Sequence, residues 1–112
     1  MKKIIVVPIL LFVLNFTALA QQDSLQTYRK QIDSLDLQLI RILGQRMEVV
    51  TAVGKYKAFH QIAPLQPKRF EEILQKNIVL GREFQLSETF IRTFMEAIHQ
   101  ESLAKENALK KQ

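Results

Sequence analysis

ILGQRMEVVTAVGKYK, residues 42–57, contains the position on which the reading of the whole chain turns. Leu25, Tyr28, Ile32, Leu35, Leu39 and Ile42 advance by alternating threes and fours, which puts them on one face of an α-helix. The next step of that rhythm is Arg46, and Val49 and Val53 then resume it. A charge at a core register is expensive to bury without a partner. Two partners are open: an acidic side chain such as Glu48, Asp33 or Asp36, within the chain or across a dimer, or an anionic ligand in a pocket. Lys57 follows three turns later on nearly the same face, ~16 Å along the axis. Two long cationic side chains at that spacing could converge on one ligand between them.

Working outward, the helical pattern runs from Ser24 to about His60 without a proline, with Asp23 or Ser24 as its expected N-cap. Its opposite face reads Lys30, Gln31, Ser34, Gln38, Arg41 and Gln45, a solvated stripe. Gly44 and Gly54 each cost a helix ~1 kcal/mol relative to alanine, so each is expected to mark a close approach by another helix or a ligand. Pro64 and Pro67 punctuate a loop over residues 61–66. A second helix is predicted from Pro67 to Leu80, stopping near Gly81, and Ser87 reads as the N-cap of a third that reaches about Ala108. No stretch shows strand alternation. The fold class is all-α, three helices per chain with one very long.

A helix of ~37 residues is ~55 Å long, whereas a compact domain of this size is only about 30 Å across. The first helix therefore cannot bury its seam within its own chain. An intertwined antiparallel dimer of long helices is the economical solution.

The segment before that helix has a different character. MKKIIVVPILLFVLNFTALA, residues 1–20, has a basic start at Lys2 and Lys3, an apolar run from Ile4 to Phe16, and small residues at Ala18 and Ala20. That layout is expected of a signal peptide cleaved after Ala20, placing residues 21–112 in the periplasm or outside the cell. Pro8 and Asn15 interrupt the run, which is short for a span of ~20 residues, so no lasting membrane anchor is expected. The remaining 92 residues make one small domain with 14 basic and 11 acidic residues. That mild excess suits small anions better than nucleic acid, which asks for a dense basic patch. With no cysteine in the sequence, disulfides, thiolate metal sites and cysteine nucleophiles are excluded.

In the third helix the apolar stripe Ile91, Met95, Ile98 continues as Ser102 and Glu106. Such a stripe is either a frayed helix end or a further wall of the pocket that Arg46 and Lys57 face. Arg69, just inside the second helix, could close that cavity; taken alone it reads as a surface residue. Arg29 stands seventeen residues before Arg46, ~25 Å along one helix, too far for both to grip one small molecule. In an antiparallel dimer, Arg29 of one chain can approach Arg46 of the other, giving a composite site at each end.

The stretch YRKQIDSLDLQLIRILGQRMEVVTAVGKYK, with Pro64, Arg69, Leu86-Ser87 and Glu101-Ser102 beyond it, resembles the AroQ class of chorismate mutases. The matching elements in the first helix are Arg29, Ile32, Asp33, Asp36, Arg46, Gly54 and Lys57. The resemblance implies an all-helical homodimer with two sites, each borrowing Arg29 from the partner. It implies as substrate chorismate, a small dicarboxylate that rearranges to prephenate in one pericyclic step without nucleophile, metal or cofactor, in aromatic amino acid biosynthesis. Arg29 and Arg46 would grip the two carboxylates with Ser102 assisting. Lys57 would donate to the breaking ether oxygen, and Arg69 would close the hydroxyl end.

Two positions depart from the family pattern. The glutamate that often follows the loop arginine and holds the substrate hydroxyl is Phe70 here, leaving Gln66 to serve the hydroxyl. The glutamine that often donates beside the lysine is Glu106. Two rival readings share the features of the chain in part: an isochorismate pyruvate lyase of the same fold, and a non-enzymatic exported helical protein of chaperone type. The second gives no reason for Arg46, Lys57 and Arg69 at their intervals.

Overall fold

The computed structural model describes the backbone of residues 2–3 and 7–109, and the side chains of residues 2–3 and 23–109. Three helices follow one another: α1 (Val7–Phe59), α2 (Pro67–Glu83) and α3 (Glu88–Leu109). Among the described residues there is no strand, and no helix is long and apolar enough to cross a membrane. The side chains of the expected apolar run from Ile4 to Phe16 and of the expected cleavage site at Ala20 lie outside the described residues.

α1 begins earlier than Asp23 or Ser24, the expected caps. The aliphatic residues before them favour helix, so Asp23 sits inside a continuing turn and its carbonyl accepts from Thr27 Oγ1 at 2.9 Å. The chain divides into two units, Met1–Ile42 and Leu43–Gln112, with α1 running through both. In the first unit Leu25, Tyr28, Ile32, Leu35, Leu39 and Ile42 are each between 45% and 62% exposed. The seam predicted from the threes and fours is thus intact as a stripe and uncovered in one chain.

The second unit has a core of its own. Leu74 and Ile78 of α2 meet Ile91, Met95 and Ile98 of α3, all at spacings of three or four residues. Leu43 and Met47 of α1, with Phe70, Ile73 and Phe94, pack around them. Fully burying a side chain of this size contributes roughly 1.5–3 kcal/mol, so this cluster decides how α2 and α3 pair.

Two glycines set distances between helices. Gly81, expected to end α2, lies within it and is buried; a Cβ there would stand 2.7 Å from Ile91 Cγ1. Its absent side chain lets α2 and α3 close on each other, and α2 ends two residues later, where the Phe84 and Leu86 amides donate to the Gly81 carbonyl. Ser87 caps α3 as the sequence suggests, its Oγ accepting from the Phe90 amide at 3.1 Å. Gly54 does on α1 what Gly81 does on α2: a Cβ would meet Glu106 Cα at 3.3 Å. At Gly44 nothing of the same chain lies within 4 Å, so no helix of its own chain makes the expected approach there.

Candidate active site

A cleft of about 410 Å³ opens within Leu43–Gln112, inside the ~300–1,000 Å³ range of small-molecule sites. Each element contributes one stripe to it. α1 supplies Arg46, Val50, Val53 and Lys57; the loop and α2 supply Pro64, Gln66, Arg69 and Phe70; α3 supplies Met95, His99, Ser102 and Glu106.

The arginine in the seam is answered from α3. Arg46 Nη1 donates to Ser102 Oγ at 3.1 Å, and Ser102 Oγ donates in turn to the Ile98 carbonyl at 2.8 Å. No ion pair of Arg46 is present among the described residues, so no acidic side chain of its own chain answers it. A guanidinium has five N–H donors; one is engaged by Ser102, and the side chain is half-buried in the cleft wall. That leaves a planar fork suited to a carboxylate.

At the far end, Lys57 Nζ lies 3.0 Å from Glu106 Oε1 and donates to the Pro64 carbonyl at 2.9 Å. The Glu106 side chain is 7% exposed and that of Lys57 18%. A carboxyl group so far from water is costly unless it is answered, and the Lys57 ammonium is placed against it. Gly54 makes the placement possible by letting α1 reach the backbone of α3 at Glu106. α3 therefore does not fray where its stripe turns polar: it stays helical through Leu109, with Glu106 buried and Ser102 half-buried.

Arg69 and Gln66 also line the cleft, both exposed at its mouth. The Gln66 amide donates to the Ala63 carbonyl at 3.0 Å, so its Oε1 remains for a ligand. Glu71 and Glu72, the carboxylates next to the expected glutamate position, are exposed and line no part of the cleft. Arg29 belongs to the other unit, where it is exposed. Sequence reasoning missed His99, although it continues the register Met95, His99, Ser102, Glu106 along one face of α3. It also treated Phe70 only as a departure; its ring stacks on that of His99 with centroids 4.0 Å apart at 18°.

Three cations thus face the cleft against one carboxylate, among aliphatic and aromatic walls that strengthen charge interactions by excluding water. Such a cavity suits a small dianion with an apolar body. Among the described residues no group of three or more histidines, aspartates and glutamates could hold a metal ion.

Known proteins match this chain in the same region. Residues 28–107 match the family described as chorismate mutase type II, an all-α fold. The T-protein of Haemophilus influenzae is 33% identical over 85 residues, covering 76% of this chain and 22% of that protein. The bifunctional chorismate mutase/prephenate dehydratase of Escherichia coli is 27% identical over 94 residues, 84% of this chain and 24% of that protein. The 4-amino-4-deoxychorismate mutase of Streptomyces pristinaespiralis is 25% identical over 79 residues, 70% of this chain and 61% of that protein. The chain therefore spans about a quarter of the two longer relatives and more than half of the shorter one. With the helices, the cleft and the match over residues 28–107 in agreement, this protein belongs to the chorismate mutase type II family.

Proposed function

We propose that the protein is a chorismate mutase, an isomerase that converts chorismate to prephenate. The observation that carries this is the pairing of Arg46 with Ser102 and of Lys57 with Glu106 along one cleft of about 410 Å³. Rearranging a flexible dicarboxylate within one molecule requires holding it in a compact conformer and stabilising charge on the breaking ether oxygen. Arg46, oriented by Ser102, takes one carboxylate. Lys57 has three N–H donors, two of them directed at Glu106 and Pro64, and the third is available to the ether oxygen. Glu106 stands beside it and donates to that oxygen only when protonated. Arg69 and the Gln66 Oε1 serve the mouth, where the ring hydroxyl would lie.

The working form in this reading is a homodimer. The stripe from Leu25 to Ile42 is apolar and uncovered in one chain, an exposure that a second copy would remove. The partner subunit's Arg29 then supplies the grip on the second carboxylate. The basic start, apolar run and Ala18-x-Ala20 site support export, with residues 21–112 as the mature domain in the periplasm or beyond.

Incubating purified residues 21–112 with chorismate tests the reading directly. Depletion of chorismate with formation of prephenate is the expected result; a folded protein that leaves chorismate untouched overturns it. A second reading rests on the relatives named 4-amino-4-deoxychorismate mutase, of which this chain covers 61% and 78%, far more than of the bifunctional enzymes.

A further inference from the structure

We propose that His99 is the residue by which the cleft recognises the ring hydroxyl of its substrate, and that it makes the protein select a hydroxyl over an ammonium group there. The inference rests on the mutase reading and names the specificity of that same site.

α3 presents three polar side chains to the cleft, at His99, Ser102 and Glu106. They cover two turns, ~10 Å of helix. The last two are committed to cations: Ser102 accepts from Arg46 and Glu106 from Lys57. His99 is half-buried, and no hydrogen bond among the described residues uses either of its ring nitrogens. A polar group set into a cleft wall with its hydrogen-bonding capacity free is a receptor for a ligand group. Stacking on Phe70, itself packed against the core, holds the imidazole plane at a fixed orientation.

The chemistry of the remaining substrate groups assigns the partner. Arg46 and the partner subunit's Arg29 take the carboxylates, and Lys57 with Glu106 takes the ether oxygen. The group that remains for His99 is the ring hydroxyl, which can both donate and accept. Arg69 and the Gln66 Oε1 would meet it from the mouth, and His99 from the wall of α3. A neutral imidazole offers one donor and one acceptor. Phe70, an aromatic ring, lines the cleft beside Arg69; Glu71 and Glu72 line no part of it, and Glu106 is occupied by Lys57. An ammonium in place of the hydroxyl would meet three cations and no free carboxylate, and would be disfavoured by like-charge repulsion.

The experiment compares kcat and KM of the purified protein on chorismate and on 4-amino-4-deoxychorismate, for wild type, His99→Leu and His99→Gln, with thermal unfolding of each. Wild type is expected to favour chorismate by at least about tenfold in kcat/KM, on the strength of one hydrogen bond to a half-buried polar group and the charge repulsion. His99→Leu should raise KM for chorismate about three- to tenfold, leave kcat nearly unchanged, and narrow the preference, because one neutral hydrogen bond to a ring substituent is lost. His99→Gln, which retains a donor and an acceptor, should restore most of the KM. A wild-type preference for the amino substrate overturns the proposal. So do folded His99→Leu and His99→Gln proteins with wild-type KM and an unchanged preference, or variants that lose kcat equally on both substrates. Wild type inactive on both substrates overturns the mutase reading itself, and the proposal with it.

Discussion

Replacing Gly54 with alanine sets two opposing effects against each other, and the structure supplies the geometry of both. Alanine gains ~1 kcal/mol of helix propensity in α1. Its Cβ, however, would stand 2.8 Å from Leu109 Cδ1, 3.1 Å from Glu106 Cγ and 3.3 Å from Glu106 Cα. The leucine methyl can swing away, but Glu106 Cα is backbone, so α3 must retreat by a few tenths of an ångström. Overpacking of this kind costs ~1–3 kcal/mol, so net destabilisation of ~0–2 kcal/mol is expected after the propensity gain. The retreat carries Glu106 away from Lys57, now 3.0 Å distant, and tilts the ammonium with it. Misplacing a catalytic group by ~1 Å can lower rate ~100-fold, so a shift of this size should lower kcat/KM on the order of tenfold. The assay is chorismate turnover beside guanidinium unfolding, with Gly44→Ala as the comparison, since nothing of its own chain lies within 4 Å of that position. A Gly54→Ala protein with wild-type turnover, stabilised by the full propensity gain of ~1 kcal/mol, would refute the reasoning.

Three further outcomes follow from the same geometry. If Glu106 stands at the ether oxygen, Glu106→Gln, whose amide always offers an N–H donor, should change kcat on chorismate, and a wild-type kcat in that folded variant would remove Glu106 from that role. Arg29→Ala and Arg46→Ala proteins should each be nearly inactive yet regain activity when mixed and refolded, since one site of a heterodimer then holds both arginines; folded mixtures without activity would count against a shared site. Glu88, whose carboxylate Arg92 holds below its ordinary value by a hydrogen bond at 2.8 Å and by charge, with Arg82 adding a smaller effect, should stabilise α3 above that ordinary value. The contribution should be lost as pH falls through the lowered value, so the difference in thermal midpoint between wild type and Glu88→Gln should disappear in acid.

Spacing in the sequence carries faces, and every face it names is present in the structure. The stripe from Leu25 to Ile42, the cap at Ser87, and Arg46 with Lys57 on one face follow from register. Register leaves Ser102 and Glu106 open between a frayed end and a wall, and Gln66 comes only from the family resemblance. What register does not carry is how near two elements come. Gly81 reads as a helix end because glycine lowers helix propensity, whereas its packing against Ile91 comes from a helix beyond the next turn. The hydrogen bond from Arg46 to Ser102 joins positions 56 residues apart, and a local pattern cannot tell it from an ion pair to a neighbouring acid. His99 was hidden for another reason. It sits beside Ile98 in a stripe that reads apolar, and only the stacking of Phe70 from α2 shows which way its ring is turned.

Lys57 has a consequence for how binding free energy divides. A lysine on the surface samples many rotamers, and engaging a ligand removes that freedom at a penalty of up to ~2 kcal/mol. Here the ammonium is already tied at 2.9 Å to the Pro64 carbonyl and at 3.0 Å to Glu106. An ammonium is a tetrahedron, so fixing two of its N–H bonds leaves the third only one direction to point. The side-chain entropy is therefore lost when the chain folds, before any ligand arrives. A ligand oxygen that meets the remaining N–H meets a donor already aimed, and the loop that contributes Pro64 becomes part of the aim.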